Sequence, residues 1–307
     1  MKCYILNILS AIAGILLLFW VVPSSQCQIE AEPLEIFVSI PPQAYLADRV
    51  GGTHVKVHIL ADKGQDPHTF EPTPRQIIEL GHADFYFTTG LPFEQRLLEK
   101  IKNSNHQLTV IDVSQGITKR MMSPAHHEHA EGKGEASHRL GEPDPHIWLA
   151  PPLLKIMAEN IADALIKAVP EDRRDFRQNL AGLEKDIDGV HDRIRKILRP
   201  FSGQTFLVFH PAFGYFGDTY GLQQKAVELE GKSPTPKHLA QFISEARAEK
   251  AKIIFVQPQF DPTSATVIAK AIGGAVVAMD SLAYDVLANL EQMAAKIEQS
   301  AAAKQRP

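Results

Sequence analysis

Two α/β lobes, each a parallel sheet flanked by helices and joined by one long rigid helix, form the fold class predicted for this 307-residue chain. Three observations predict it. Strand-like and helix-like stretches alternate through the first half, and the same alternation returns in the second half. Between the halves lies a charged amphipathic segment with no internal proline. Alternating strands and helices argue for parallel sheets covered on both faces. The length suits two domains at roughly 150 residues each.

The chain starts with Lys2, an apolar run from Ile5 to Val22, and then Pro23, Ser24 and Ser25. That order reads as a secretory signal peptide over residues 1–27. A retained run of that length would instead tether the protein to a membrane. Both cysteines, Cys3 and Cys27, lie in this stretch. The residues "SSQ" before Cys27 lack the aliphatic residue usual at a lipid-modification site. The mature domain therefore has neither a disulfide nor a thiolate, and any metal must be held by histidines and carboxylates.

The first lobe is expected over residues 33–169. "EIFVSI" (35–40), "HVKVHIL" (54–60), "ADFYFTTG" (83–90) and "LTVIDVS" (108–114) read as strands from their alternation and their β-branched and aromatic content. "PQAYLADRVG" and "PTPRQIIELGHA" have helical spacing, with Pro74 near the start of the second. Residues 123–142 hold "AHHEHAEGKGEASHRLG", which has almost no apolar side chains and reads as a polar loop. Residues 170–199 carry the long segment. Phe176, Leu180, Leu183, Ile187, Val190, Ile194 and Ile197 recur at helical spacing, predicting one helix of about 27 residues and about 40 Å. The second lobe is expected over residues 201–300, with strands in "QTFLVFH" (204–210), "LQQKAVEL" (222–229), "KIIFVQPQ" (252–259) and "AVVAMD" (275–280). Its helices start at Thr235 and Asp261, each an N-cap followed by proline.

The net charge of −4 is too mild to point to nucleic acid or an anionic membrane surface. The 13 histidines carry the chemistry instead. Asp-Pro-His occurs twice, ending in His68 and His146. Proline stiffens each turn, and Asp66 and Asp144 are placed to close Asx-turns that present the next imidazole. His210 and Asp280 each close a strand of the second lobe, and ligands of open parallel sheets bind beyond those carboxyl ends. If the lobes face each other, three imidazoles and one carboxylate converge, a tetrahedral set suited to zinc. Each residue also has an ordinary reading. His68 and His146 serve as turn residues, His210 as a satisfied core group, and Asp280 as an N-cap.

"DPHTFEPTPRQI", "EPDPHIWLAP", "FHPAFGYFGDTYGL", "FVQPQFDPTSATVIAKAIGG" and "MDSLA" together resemble the metal-specific solute-binding proteins of ABC uptake systems (cluster 9), zinc-uptake type. The resemblance runs from about Leu34 to Glu298. It implies a non-enzymatic, exported and monomeric protein that binds one Zn²⁺ between its lobes and passes it to a membrane permease. It implies His68, His146, His210 and Asp280 as the ligands. Manganese-type members carry a carboxylate where this chain has His210, so Mn²⁺ is the lesser expectation. Zinc-type members often carry a His-rich loop before the second ligand, which makes His126, His127, His129 and His138 an auxiliary weak metal loop. Glu71 is a candidate to orient His68.

The rival is a zinc hydrolase in the same cleft, with Glu228 or Glu230 as base, although no H-E-x-x-H pattern is present. An adhesin with a structural metal is a third reading. Ligand histidines must be neutral, so affinity is expected to fall as pH drops through about 6.5.

Overall fold

The computed structural model describes residues 32–101, 108–122, 142–228 and 234–304. The stretch expected to be a signal peptide, the histidines at 126, 127, 129 and 138, and Glu230 lie outside the described residues. Pro33–Pro307 form one compact unit. Among the described residues no helix is long and apolar enough to cross a membrane.

The first sheet contains β1 (Leu34–Val38), β2 (Val55–Ile59), β3 (Phe85–Thr88) and β4 (Thr109–Asp112), all parallel, in the order β2-β1-β3-β4. Helices α1 (Pro41–Gly51), α2 (Pro74–Leu80) and α3 (Pro92–Ile101) connect its strands, and α4 (Pro151–Ala168) follows. The second sheet contains β5 (Thr205–Val208), β6 (Gln223–Ala226), β7 (Ile253–Val256) and β8 (Ala275–Ala278), again parallel, in the order β6-β5-β7-β8. Its helices are α6 (Gly214–Tyr220), α7 (Pro236–Ala248), α8 (Thr263–Ile272) and α9 (Val286–Lys304). The predicted class of two parallel sheets flanked by helices is therefore what the chain forms. The strands are shorter than the sequence patterns. Backbone pairing stops where the chain turns away to form the loops at the strand ends.

Between the sheets lies α5 (Arg173–Leu198), 26 residues long, or about 39 Å at 1.5 Å per residue. Six of the seven predicted apolar positions are buried. The seventh place on the stripe goes to Leu198, while Ile197 is only partly covered. Short 3₁₀ turns at Pro170–Asp172 and Arg199–Phe201 flank it, because each proline stands where a new turn begins. This helix is not a bare spacer. It packs against α1, α4 and α9, and one hydrophobic core runs from β1 and β3 through α4, α5 and α9 to Phe206, Phe213 and Phe255 of the second lobe. A second core lies beneath α7 and α8. Continuous packing across both lobes opposes a wide hinge motion.

Local chemistry frames the loops that matter. Thr73 and Gln76 form a capping box at α2, and Gln76 Nε2 also donates to the Leu60 carbonyl at 2.9 Å. That bond pins both ends of the loop carrying His68. Thr235 caps α7 as expected, accepting from the His238 amide. Asp261 departs slightly from expectation. The helix begins at Thr263 after Pro262, yet Asp261 Oδ1 still accepts from the Thr263 amide at 3.0 Å. Gly221, at φ +70°, ends α6 in the left-handed region and turns the chain into β6.

Candidate metal centre

Three imidazoles from distant parts of the chain meet. His68 sits in the loop after β2, His146 just before the 3₁₀ turn Ile147–Leu149, and His210 two residues past β5. His146 and His210 are almost fully buried, at 2% and 3% exposed, and His68 is half-buried. The distance from His146 Nε2 to His68 Nε2 is 3.1 Å, and to His210 Nε2 it is 3.3 Å. Among the described residues, these three form the group able to hold a metal ion.

Both Asp-Pro-His copies close the Asx-turn that the sequence predicts. The His68 amide donates to Asp66 Oδ1 at 2.9 Å, and the His146 amide donates to Asp144 Oδ1 at 3.0 Å. The copies then diverge. Asp144 Oδ1 also lies 2.7 Å from His146 Nδ1, whereas the other oxygen of Asp66 accepts from Thr69 Oγ1 at 3.1 Å. Tyr215 of α6 reaches across the cleft and donates to the Asp144 carbonyl at 2.8 Å, steadying the second loop.

His210 has its own carboxylate. Glu228 Oε2 lies 2.6 Å from His210 Nδ1, and Glu228 is 6% exposed. The sheet register explains the pairing. Val208 of β5 pairs with Ala226 of β6, and two further residues along each strand bring His210 opposite Glu228. Gln257 brackets the His210 backbone from the end of β7, donating to its carbonyl at 3.1 Å. Phe260 stacks on the His210 ring at 5.0 Å and 21°.

These carboxylates decide the chemistry of the cluster. A carboxylate only accepts, so each Nδ1 carries the proton and each Nε2 of a neutral ring is a bare acceptor. With both rings neutral, His146 and His210 therefore aim two lone pairs at each other across 3.3 Å. Such a contact is repulsive unless a cation sits in it. Zinc–nitrogen bonds of about 2.0–2.1 Å in a tetrahedron place the nitrogens about 3.3 Å apart. The cavity beside the rings measures about 10 Å³, room for one ion or water.

Asp280 stands beyond this group. It follows β8, and its Oδ1 accepts from the Leu282 amide at 2.9 Å and from Gln259 Nε2 at 3.3 Å. Glu71 is exposed and makes no hydrogen bond to His68 among the described residues, so the orienting role predicted for it is not seen. That role belongs to Asp144 for His146 and Glu228 for His210. The sequence reading considered Glu228 only as a hydrolytic base, but its contact with His210 leaves it poorly placed to activate a water.

Burial controls protonation. His68 is pushed down to about 2 by desolvation, reinforced by His146 and His210. His146 is lowered by desolvation, against the pull of Asp144. His68 is thus already neutral at mildly acidic pH, and His146 gives up its proton more readily than a free imidazole. The loss of metal affinity expected near pH 6.5 shifts to lower pH for a site built on these two rings. The proton deficit appears in stability instead. The unfolded chain binds protons on these histidines below about pH 6.5, while the folded chain binds them only at lower pH. The contribution of His68 is therefore complete above that pH and is lost as pH falls towards about 2, and that of His146 is lost in the same direction. The melting temperature of the metal-free protein is expected to drop from pH 7 to pH 5, and His68→Asn is expected to flatten that slope. A parent-like slope in the variant would contradict this assignment.

Residues 36–300 match the family model "ZnuA: Zinc-uptake complex component A periplasmic". The high-affinity zinc uptake system protein ZnuA of Yersinia pestis is 27% identical over 252 residues, covering 76% of this chain and 79% of that protein. The manganese-binding lipoprotein MntA of Bacillus subtilis is 27% identical over 199 residues, covering 64% and 61%. A solved structure described as the crystal structure of ZnuA superposes with a TM-score of 0.80 at 36% identity, covering 88% of this chain and 99% of that one. With both lobes and the imidazole cluster inside the matched region, the chain belongs to the ZnuA family of periplasmic metal-binding proteins, which are solute-binding transport proteins and not enzymes.

Proposed function

We propose that this protein captures Zn²⁺ outside the cytoplasm and hands it to the permease of an ABC transporter. The carrying observation is the pair of opposed Nε2 acceptors of His146 and His210, 3.3 Å apart, with His68 Nε2 3.1 Å from His146. His68, His146 and His210 bind the ion through Nε2, and Asp280 supplies the fourth ligand by a shift of its carboxylate. The two buried carboxylates behind His146 and His210 balance the charge of a divalent ion. The core shared by both lobes makes release depend on loop and side-chain movement rather than wide opening. Monomeric action and export through the N-terminal segment complete the reading.

Manganese is the second reading, favoured by the similarity to a manganese-binding lipoprotein. Imidazole nitrogen suits zinc, whereas manganese prefers more carboxylate and water oxygen. Competition titration of Zn²⁺, Mn²⁺ and Cu²⁺ against a chromophoric chelator separates the two. Zinc is expected to bind more than about a hundredfold tighter than manganese, in line with the stability order for nitrogen ligands. Tighter manganese binding under matched conditions would overturn the assignment.

A further inference from the structure

One polar atom beside the imidazoles has no partner. Gln259 follows β7 and lines the same small cavity as His68, His146 and His210. Its Oε1 is buried and lacks a hydrogen-bond partner among the described residues. Its orientation is set by Nε2, which donates to Asp280 Oδ1 at 3.3 Å. Flipping the amide would set oxygen against oxygen, because a carboxylate at that place only accepts. A buried amide oxygen left unpaired costs about 1–3 kcal/mol, so a persistent one implies a donor that arrives with a ligand.

The state of the cluster identifies that donor. Three nitrogens are gathered within 4.8 Å of one another, but Asp280 is held outside them. An ion landing on three imidazoles keeps a water on its fourth position. Metal-bound water is a strengthened hydrogen-bond donor. We propose that Gln259 is a further residue of the metal site, its amide oxygen holding the water that the ion carries before Asp280 takes its place. Gln259 is then a positioning residue that joins the incoming ion, through that water, to the carboxylate that replaces the water.

This inference rests on the metal-binding reading above, and the test keeps the two apart. Zinc affinity and zinc release rate are measured for the parent, Gln259→Met, Asp280→Ala, the double variant and His210→Ala. Metal-free melting temperatures are measured for all of them. Gln259→Met is expected to weaken zinc about tenfold, the loss of one hydrogen bond to a charged assembly. Its metal-free melting temperature should change little, because losing the Nε2 bond to Asp280 is offset by removing the unpaired buried oxygen. The decisive arm is the Asp280→Ala background, where the water stays on the ion. There Gln259→Met is expected to cost at least as much again. If Gln259 acts only by holding Asp280, its effect vanishes in that background, and the proposal is overturned. A change in stability with unchanged affinity would mean a trapped water unrelated to the ion, and would overturn it too. If His210→Ala binds zinc like the parent, the metal site itself is misassigned. If His210→Ala loses zinc while Gln259→Met is silent, only the role of Gln259 fails.

Discussion

Replacing His210 by alanine is expected to weaken zinc binding by at least about a hundredfold. Zinc sites with four protein ligands bind with roughly 10–16 kcal/mol, so each ligand carries about 3 kcal/mol, or about two powers of ten. The substitution removes more than a ligand. It strands the Glu228 carboxylate, which is 6% exposed and lies 2.6 Å from the lost Nδ1. A buried charged acceptor without its donor costs about 2 kcal/mol, so the metal-free variant should also melt at lower temperature. The two effects separate. Adding Glu228→Leu to His210→Ala should restore much of the metal-free stability and none of the affinity. Isothermal titration and thermal melts on the four proteins of this cycle measure both. Parent-like zinc binding by His210→Ala would remove the central ligand from the proposal.

The second large effect is expected at Trp148. Its side chain is fully buried, its ring lies 5.2 Å from that of His146, and its Nε1–H donates to the Ser281 carbonyl at 2.6 Å. It thus ties the loop bearing His146 to the loop bearing Asp280 across the cleft. Trp148→Ala removes a large core side chain and should cost about 3–5 kcal/mol in urea unfolding. It also opens the small metal cavity to water, so zinc should release faster. Trp148→Phe keeps most of the ring and leaves the Ser281 carbonyl unpaired, at a cost of about 1–3 kcal/mol. If Trp148→Ala unfolds at the same urea concentration as the parent, the tryptophan is not the tie between the loops that the geometry indicates.

The residues at the site differ in how readable they were. The Asx-turns at Asp66 and Asp144 followed from Asp-Pro-His alone, because an Asx-turn spans only two residues. What each carboxylate does beyond closing its turn did not follow. Asp66 turns to its neighbour Thr69, while Asp144 takes the ring of His146, and identical tripeptides cannot announce that difference. Glu228 was visible only as an acidic residue near a strand end. Its pairing with His210 depends on β6 lying beside β5 in register, a fact of sheet order.

Sequence alone determined the periodicities: eight short strands, the buried stripe of α5, the proline-led helix starts and the positions of the three histidines. Those features are set by neighbours within a turn or two, so local spacing reports them. The tertiary structure decided which nitrogen of His146 and of His210 faces the cluster, which carboxylate fixes each, and that Asp280 lies outside the three imidazoles with its Oδ1 on the Leu282 amide. Proton placement on a buried ring answers to whatever acceptor packs against it. Here those acceptors come from an Asx-turn that folds back on its own ring and from a strand paired through the sheet.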